Sequence, residues 1–215
     1  MVESLSELEN VCRGCQKCPL GKTRTNLVFG TGNPKAKIMF VGEGPGEQED
    51  LQGLPFVGKS GRLLDRYAEL IGLDRKKNIY IANMVKCRPP HNRDPKPEET
   101  ECCLPFLRAQ VKFIAPTIIV CLGRVAAQRL ISPDFRVTKQ HGEFFKKGEI
   151  YMMGTFHPAA LLRDEAKKKD ALADFQRLRE KIEELEHSAQ RTNTSPSSAS
   201  LTSDSVIVLL SELKL

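Results

Sequence analysis

"AKIMFVG", residues 36–42, is apolar at almost every position and closes on a glycine. A strand with one wet face alternates apolar and polar residues, whereas a strand covered by helices on both faces does not. Three more segments share this character: "NIYIANMV" (78–85), "PTIIVCLG" (116–123) and "IYMMGTF" (150–156). Helical patterns run between them. "SGRLLDRYAELIGL" (60–73) sets Leu63, Leu64, Tyr67, Leu70 and Ile71 at helical spacing. "PEETECCLPFLRAQVKFI" (97–114) opens on proline and acids, as helix N-termini do. "RVAAQRLI" (124–131) and "DEAKKKDALADFQRLREKIEEL" (164–185) complete the set. The alternation predicts an α/β chain, a three-layer α/β/α sandwich around a central four-stranded, mainly parallel sheet.

The 215 residues suit one domain with a tail. The domain is expected over 1–187, including a cysteine-bearing N-terminal segment, and a Ser/Thr-rich tail over 188–215. "SAQRTNTSPSSASLTSDS" (188–205) reads as a flexible linker and the closing "VIVLLSELKL" as a terminal turn. Thirty-three Lys and Arg against 27 Asp and Glu give a net charge of +6, which permits a polyanionic partner without requiring one. The acidic start "MVESLSELEN" has no leader pattern. The longest apolar stretch, around "FIAPTIIVCLG", is short for a membrane span and holds Pro116. The expectation is a cytoplasmic, intracellular protein without membrane contact. Seven cysteines in a reducing compartment then favour metal ligation over disulfides.

"GLPFVGKSG" (53–61) fits the phosphate-loop pattern G-x-x-x-x-G-K-[ST]. Its surroundings do not. A phosphate loop follows a buried strand, but "GEQEDLQ" (46–52) is acidic and would repel a triphosphate. Pro55 removes a backbone donor from the cradle, and no apolar strand ends in an Asp to hold magnesium. Gly58 and Ser60 read instead as the opening of the helix near residue 60. Phe56 is left without an obvious core role.

Ligands of open α/β sheets sit outside the carboxyl ends of the strands. Here those ends carry "GEGPGEQED" (42–50), "ANMVKCRPPHNR" (82–93), "CLGR" (121–124) and "FHPAALLR" (156–163). Glu43, Asn83 and His157 come from three of these loops and share one edge of the sheet. Each alone is as well read as a surface acid, a turn residue or a helix cap; together they suggest a site. A second signal is "CRGCQKCP" (12–19), with Cys87 and the pair Cys102 and Cys103 far along the chain. Four thiolates suit zinc or an iron–sulfur cluster, and spacing alone does not choose between them. Cys121, inside an apolar strand, reads as core.

In this order, "GEGPGEQED", "GLPFVGKSG", "NMVKCRPPHNRDP" and "FHPAALLR" resemble the family 4 uracil-DNA glycosylases, from the first cysteines to the helix ending near residue 185. The resemblance implies an enzyme that flips uracil out of DNA and hydrolyses its N-glycosidic bond, initiating base excision repair, and that works as a monomer on uracil-containing DNA. It implies a [4Fe-4S] cluster on Cys15, Cys18, Cys87 and Cys103, with Cys12 and Cys102 as competing ligands. It implies Glu43 and His157 as catalytic residues, and Gly42, Gly44, Phe56 and Asn83 around the base. Glu47 or Glu49 would exclude thymine, where a related family has Tyr at the position of Gly46. Leu161 would wedge into the base stack, though it reads equally well as a buried helix residue. Lys86, Arg88, Arg93 and Arg163 are candidate phosphate contacts; "KKK" (167–169) reads as a solvated helix face. The competing readings are a non-catalytic nucleic-acid-binding module with structural zinc, an NTPase, and a glycosylase that traps DNA covalently. For the last, "RVTKQHGEFF" (136–145) holds His141 but no evident insertion.

Overall fold

The computed structural model describes residues 2–193. The predicted tail beyond residue 193 lies outside the described residues. The elements are α1 (Leu5–Arg13), α2 (Leu20–Thr23), β1 (Thr31–Gly32), β2 (Ile38–Gly42), α3 (Glu47–Gln52), α4 (Lys59–Leu70) and β3 (Ile79–Asn83). After a 3-10 turn at Pro90–Asn92 follow α5 (Pro97–Ile114), β4 (Ile118–Leu122), α6 (Arg124–Leu130), α7 (Val137–Gln140), β5 (Phe144–Lys147), β6 (Ile150–Thr155), α8 (Pro158–Arg163) and α9 (Lys167–Asn193). α9 runs on to Asn193, so residues 188–193, expected in the tail, are helical.

The sheet order is β1-β3-β2-β4-β6-β5. The four expected strands form its parallel centre, and two short antiparallel strands close the edges, making six strands where four were predicted. Period-two alternation of the side chains divides the core. From β2, Met39 and Val41 join Ile119, Cys121 and Met152 on the face covered by α5 and α6. Ile38 and Phe40 join Ile118, Val120 and Met153 on the face covered by α4 and α9. Both sets are buried, which is why the strand sequences do not alternate. α4 sinks Leu63, Leu64 and Tyr67 as its spacing requires, while Leu70 at its end is exposed.

The strand order reverses at β2, between β3 and β4, which is where a crevice opens at the carboxyl edge of such a sheet. Past their last paired residues, β2 and β3 stay joined: the Met84 and Val85 amides donate to the Gly42 and Glu43 carbonyls at 2.9 and 3.1 Å. This fixes the backbones of Glu43 and Asn83 relative to one another.

Candidate active site

A cavity of about 540 Å³ opens at that edge, lined among others by Glu43, Gly44, Phe56, Asn83 and His157. That volume suits a small ligand. The loops from β2, β3 and β6 and the "GLPFVGKSG" segment therefore meet at one cavity.

Asn83, the last residue of β3, is 1% exposed. Its side-chain Oδ1 is buried and accepts no hydrogen bond. An orphaned amide oxygen typically costs about 1–3 kcal/mol, so its persistence at a cavity wall points to a ligand donor. Gly42 makes room for it. A Cβ at residue 42 would lie 2.4 Å from Asn83 Oδ1 and 2.7 Å from the Phe56 ring. Gly44 similarly accommodates Val85, which a Cβ there would meet at 2.8 Å.

Phe56 is buried, with a positive φ of 54°. For a non-glycine residue that conformation costs on the order of 1–3 kcal/mol and persists only where the surroundings enforce it. Gly61 of α4 leaves room for it, because a Cβ there would sit 1.8 Å from the Phe56 carbonyl oxygen. Glu49 Oε1 accepts the amides of Val57 and Gly58 at 3.0 Å each. The amides of a phosphate loop would face an anion; here the protein's own carboxylate takes them. Gly58 does cap α4, which begins at Lys59.

His157 caps α8: its Nδ1 accepts the Ala159 amide at 3.2 Å. With Nδ1 as acceptor, the proton of a neutral ring sits on Nε2. Burial, and next the positive charge of Arg163, push its pKa down to about 4, so the ring is neutral at physiological pH. It lies 5.6 Å from the Phe56 ring, centroid to centroid. Gly123 admits it, since a Cβ there would approach His157 Cβ to 2.9 Å.

Glu43 is half-buried. Burial foremost, then the charge of Asp94 and a hydrogen bond with it, raise its pKa to about 7, with Arg124 pulling the other way. Arg124 is ion-paired to Asp94. Neither Asp94 nor Arg124 was singled out in the sequence, although Asp94 lies within "NMVKCRPPHNRDP" and both follow strands ending at the same edge.

Several assigned roles change. Lys86 is fully buried and donates to the Asn83 carbonyl at 2.8 Å and to Gln110 Oε1 at 2.6 Å, so it braces β3 and meets no phosphate. Leu161 is 2% exposed and packed in the core beside α4 and α9, which removes it as a wedge; its neighbour Leu162 is 43% exposed. Arg93 is held by both oxygens of Glu99, at 2.8 and 2.7 Å, and reaches the cavity wall only from that anchor. His141 Nδ1 is 2.8 Å from Asp174 Oδ1, whose Oδ2 accepts Thr155 Oγ1 at 2.6 Å. His141 is thus tied into a network with a buried acid and does not line the cavity. Arg163 lines the cavity, and Arg88 lies 3.6 Å from Glu47, an exposed residue of its wall.

Beneath the β3 loop, Cys12, Cys15, Cys18, Cys87, Cys102 and Cys103 surround one small hollow. Among the described residues, no three His, Cys, Asp or Glu side chains form a group suited to a single metal ion. The Cys103 sulfur accepts the Lys86 amide at 3.3 Å, and Arg24 Nη1 donates to Cys87 Sγ at 3.2 Å.

Residues 29–182 match the family described as the uracil DNA glycosylase superfamily. The chain belongs to it. Within the superfamily it sides with the type-4 enzymes. It is 43% identical to the type-4 uracil-DNA glycosylase of Archaeoglobus fulgidus over 83% of this chain and 94% of that protein. It is 46% identical to that of Thermotoga maritima over 70% of this chain and 79% of that protein. A type-5 uracil-DNA glycosylase from Pyrobaculum aerophilum is more distant, at 29% over 60% of this chain and 64% of that protein. No described helix of this superfamily member is long and apolar enough to cross a membrane.

Proposed function

We propose that this chain is a uracil-DNA glycosylase that draws uracil out of DNA and hydrolyses its N-glycosidic bond. The unpartnered Asn83 Oδ1 carries the reading. Uracil offers N3–H to that oxygen and O4 to the amide nitrogen; cytosine has an acceptor at N3 and a donor at C4, and fits neither. A buried amide left unpaired by the wrong base discriminates strongly. Phe56 stacks on the extruded ring, a contact of ~1–3 kcal/mol. The base reaches this depth only when flipped out of the helix.

Bond cleavage leaves negative charge on uracil and positive charge on the sugar. His157, neutral and protonated at Nε2, donates to uracil O2 as that charge grows. Glu43, as carboxylate, orients the attacking water and stabilises the cationic sugar. Thymine adds a methyl at C5. Of the two acids considered, Glu49 is the better placed to exclude it. Its Oε2 lies 2.8 Å from where a Cβ on residue 46 would be, filling the space that a larger residue 46 would use, whereas Glu47 is exposed.

The test uses matched oligonucleotides containing uracil, thymine or cytosine, treated with alkali after incubation. Strand breaks are expected at uracil alone. Asn83→Ala is expected to lose on the order of 10² in rate, since the pairing it removes acts while the base is held for reaction. Glu49→Ala gains some cleavage at thymine and Glu47→Ala gains none. Equal cleavage of uracil and cytosine by the unmodified protein overturns the assignment.

The thiol set fits a [4Fe-4S] cluster better than a single ion, because the sulfurs ring a hollow and one of them already accepts a backbone amide, as cluster sulfurs do. We assign Cys15, Cys18, Cys87 and Cys103. Cys12 is 1% exposed and a full member of the apolar cluster of Leu8, Leu27 and Phe29, against which Cys15 and Cys103 only pack, and the Cys102 thiol donates to the Lys17 carbonyl at 3.6 Å. When bound, the cluster ties the N-terminal segment to the loop after β3 and so stiffens the floor of the base pocket. Anaerobically purified protein is expected to be brown and to carry about four irons per chain by metal analysis. Cys87→Ser is expected to be colourless and Cys12→Ser to keep its iron. Zinc in place of iron favours the structural-zinc module.

A further inference from the structure

We propose that Arg75 is a positioning residue for Phe56, holding the backbone of the base-stacking loop from the side away from the base. This rests on the stacking role given to Phe56 above. Arg75 lies outside every motif that marked the site, in the turn between α4 and β3. Its guanidinium makes four hydrogen bonds. Nη1 donates to the Pro55 carbonyl at 2.7 Å and Nη2 to the Phe56 carbonyl at 2.9 Å. Nε and Nη2 donate to Asp65 Oδ1 at 3.1 and 2.8 Å, which anchors the head on α4.

The turn that carries Arg75 is itself fixed. The Asp74 amide donates to Asn78 Oδ1 and the Lys76 amide to Asp74 Oδ1, both at 2.7 Å, and Asn33 Nδ2 donates to the Lys77 carbonyl at 2.7 Å. The loop 55–58 is thereby held at two levels by opposite charges. Its carbonyls face the Arg75 cation, and its following amides face the Glu49 anion. Phe56 sits between them in the one backbone conformation of the loop that a phenylalanine does not adopt freely. Arg75 lines a separate surface hollow with Asp65, Arg62 and Val57, and is absent from the wall of the base pocket. Any effect on catalysis therefore passes through Phe56. A plain surface ion pair with Asp65 would contribute little to stability and nothing specific to turnover.

A double-mutant cycle separates the two. Excision of uracil from a single-stranded oligonucleotide is measured at saturation for Arg75→Ala, Phe56→Ala and the pair. Arg75→Ala is expected to lower kcat by about 10- to 100-fold, the usual scale for a misplaced positioning group. In the Phe56→Ala background the same change is expected to cost less than about 2-fold, because the group it serves is gone. Asp65→Ala, which loosens the guanidinium without removing it, shows a smaller loss that also vanishes with Phe56→Ala. Equal losses in both backgrounds, or an Arg75→Ala variant and an Asp65→Ala variant both at the parental rate, overturn the proposal. Parental activity in Phe56→Ala alone overturns the stacking role first, and this proposal with it.

Discussion

Replacing His157 with alanine lowers kcat for uracil excision by on the order of 10²–10³-fold while leaving DNA affinity nearly unchanged. That is the scale on which removal of one preorganised donor to a developing anion acts. The geometry makes the donor specific. Nδ1 is occupied by the Ala159 amide, so a neutral ring has its only N–H at Nε2. A pKa near 4 keeps the ring neutral through the physiological range. A neutral donor polarises uracil O2 without transferring a proton, and burial with the Arg163 charge keeps it neutral although Glu49 draws the other way. It follows that protonation of His157 contributes no pH limb above about 5. His157→Gln, which offers an amide N–H at similar reach, is expected to recover part of the loss. The measurement is single-turnover excision beside DNA binding by anisotropy. A His157→Ala variant that binds weakly but turns over normally would move the residue out of the chemistry and into DNA contact.

The sheet was legible because burial on both faces leaves a plain trace: each central strand sends alternate side chains into two separate cores. The edge strands left no such trace. β5 reads "FFKK", half charged and half-buried, and β1 is two residues long. The four candidate site residues were suggested by position, since Glu43, Asn83 and His157 lie at the carboxyl ends of three of the four parallel strands and Phe56 had no other employment. What failed depended on where a side chain turns. Lys86 among arginines and prolines reads as a phosphate contact, and nothing local says that it folds inward to Gln110. Leu161 and Leu162 differ by one step of about 100° around a short helix, which suffices to exchange core for solvent. The roles of Arg75 and Asp94 were not legible for a different reason. Their work is done through hydrogen bonds to groups distant in sequence, and no spacing rule encodes those.

Glu43 leads to the second large effect. Glu43→Gln keeps the shape of the side chain and removes its charge, and is expected to lower kcat by about 10²–10⁴-fold, the range of a positioned acid–base group. The unmodified enzyme should then show kcat/KM rising with pH through about 7, because only the ionised carboxylate orients water and opposes the cationic sugar. The sign follows from the surroundings. Burial foremost, and next the Asp94 carboxylate, hold the proton on Glu43, while Arg124 draws it off. Asp94→Asn removes a like charge, so the midpoint should move to lower pH and activity near pH 6 should increase relative to that near pH 8. Arg124→Ala removes the opposing cation and should move the midpoint upward. His157 does not confuse the reading, because its titration lies well below this window. The pH dependence of kcat/KM for these three variants and the parent decides the matter. A parent profile flat between pH 5 and 9, or an Asp94→Asn midpoint displaced to higher pH, would show that the carboxylate beside the sugar is not the group whose ionisation limits the reaction.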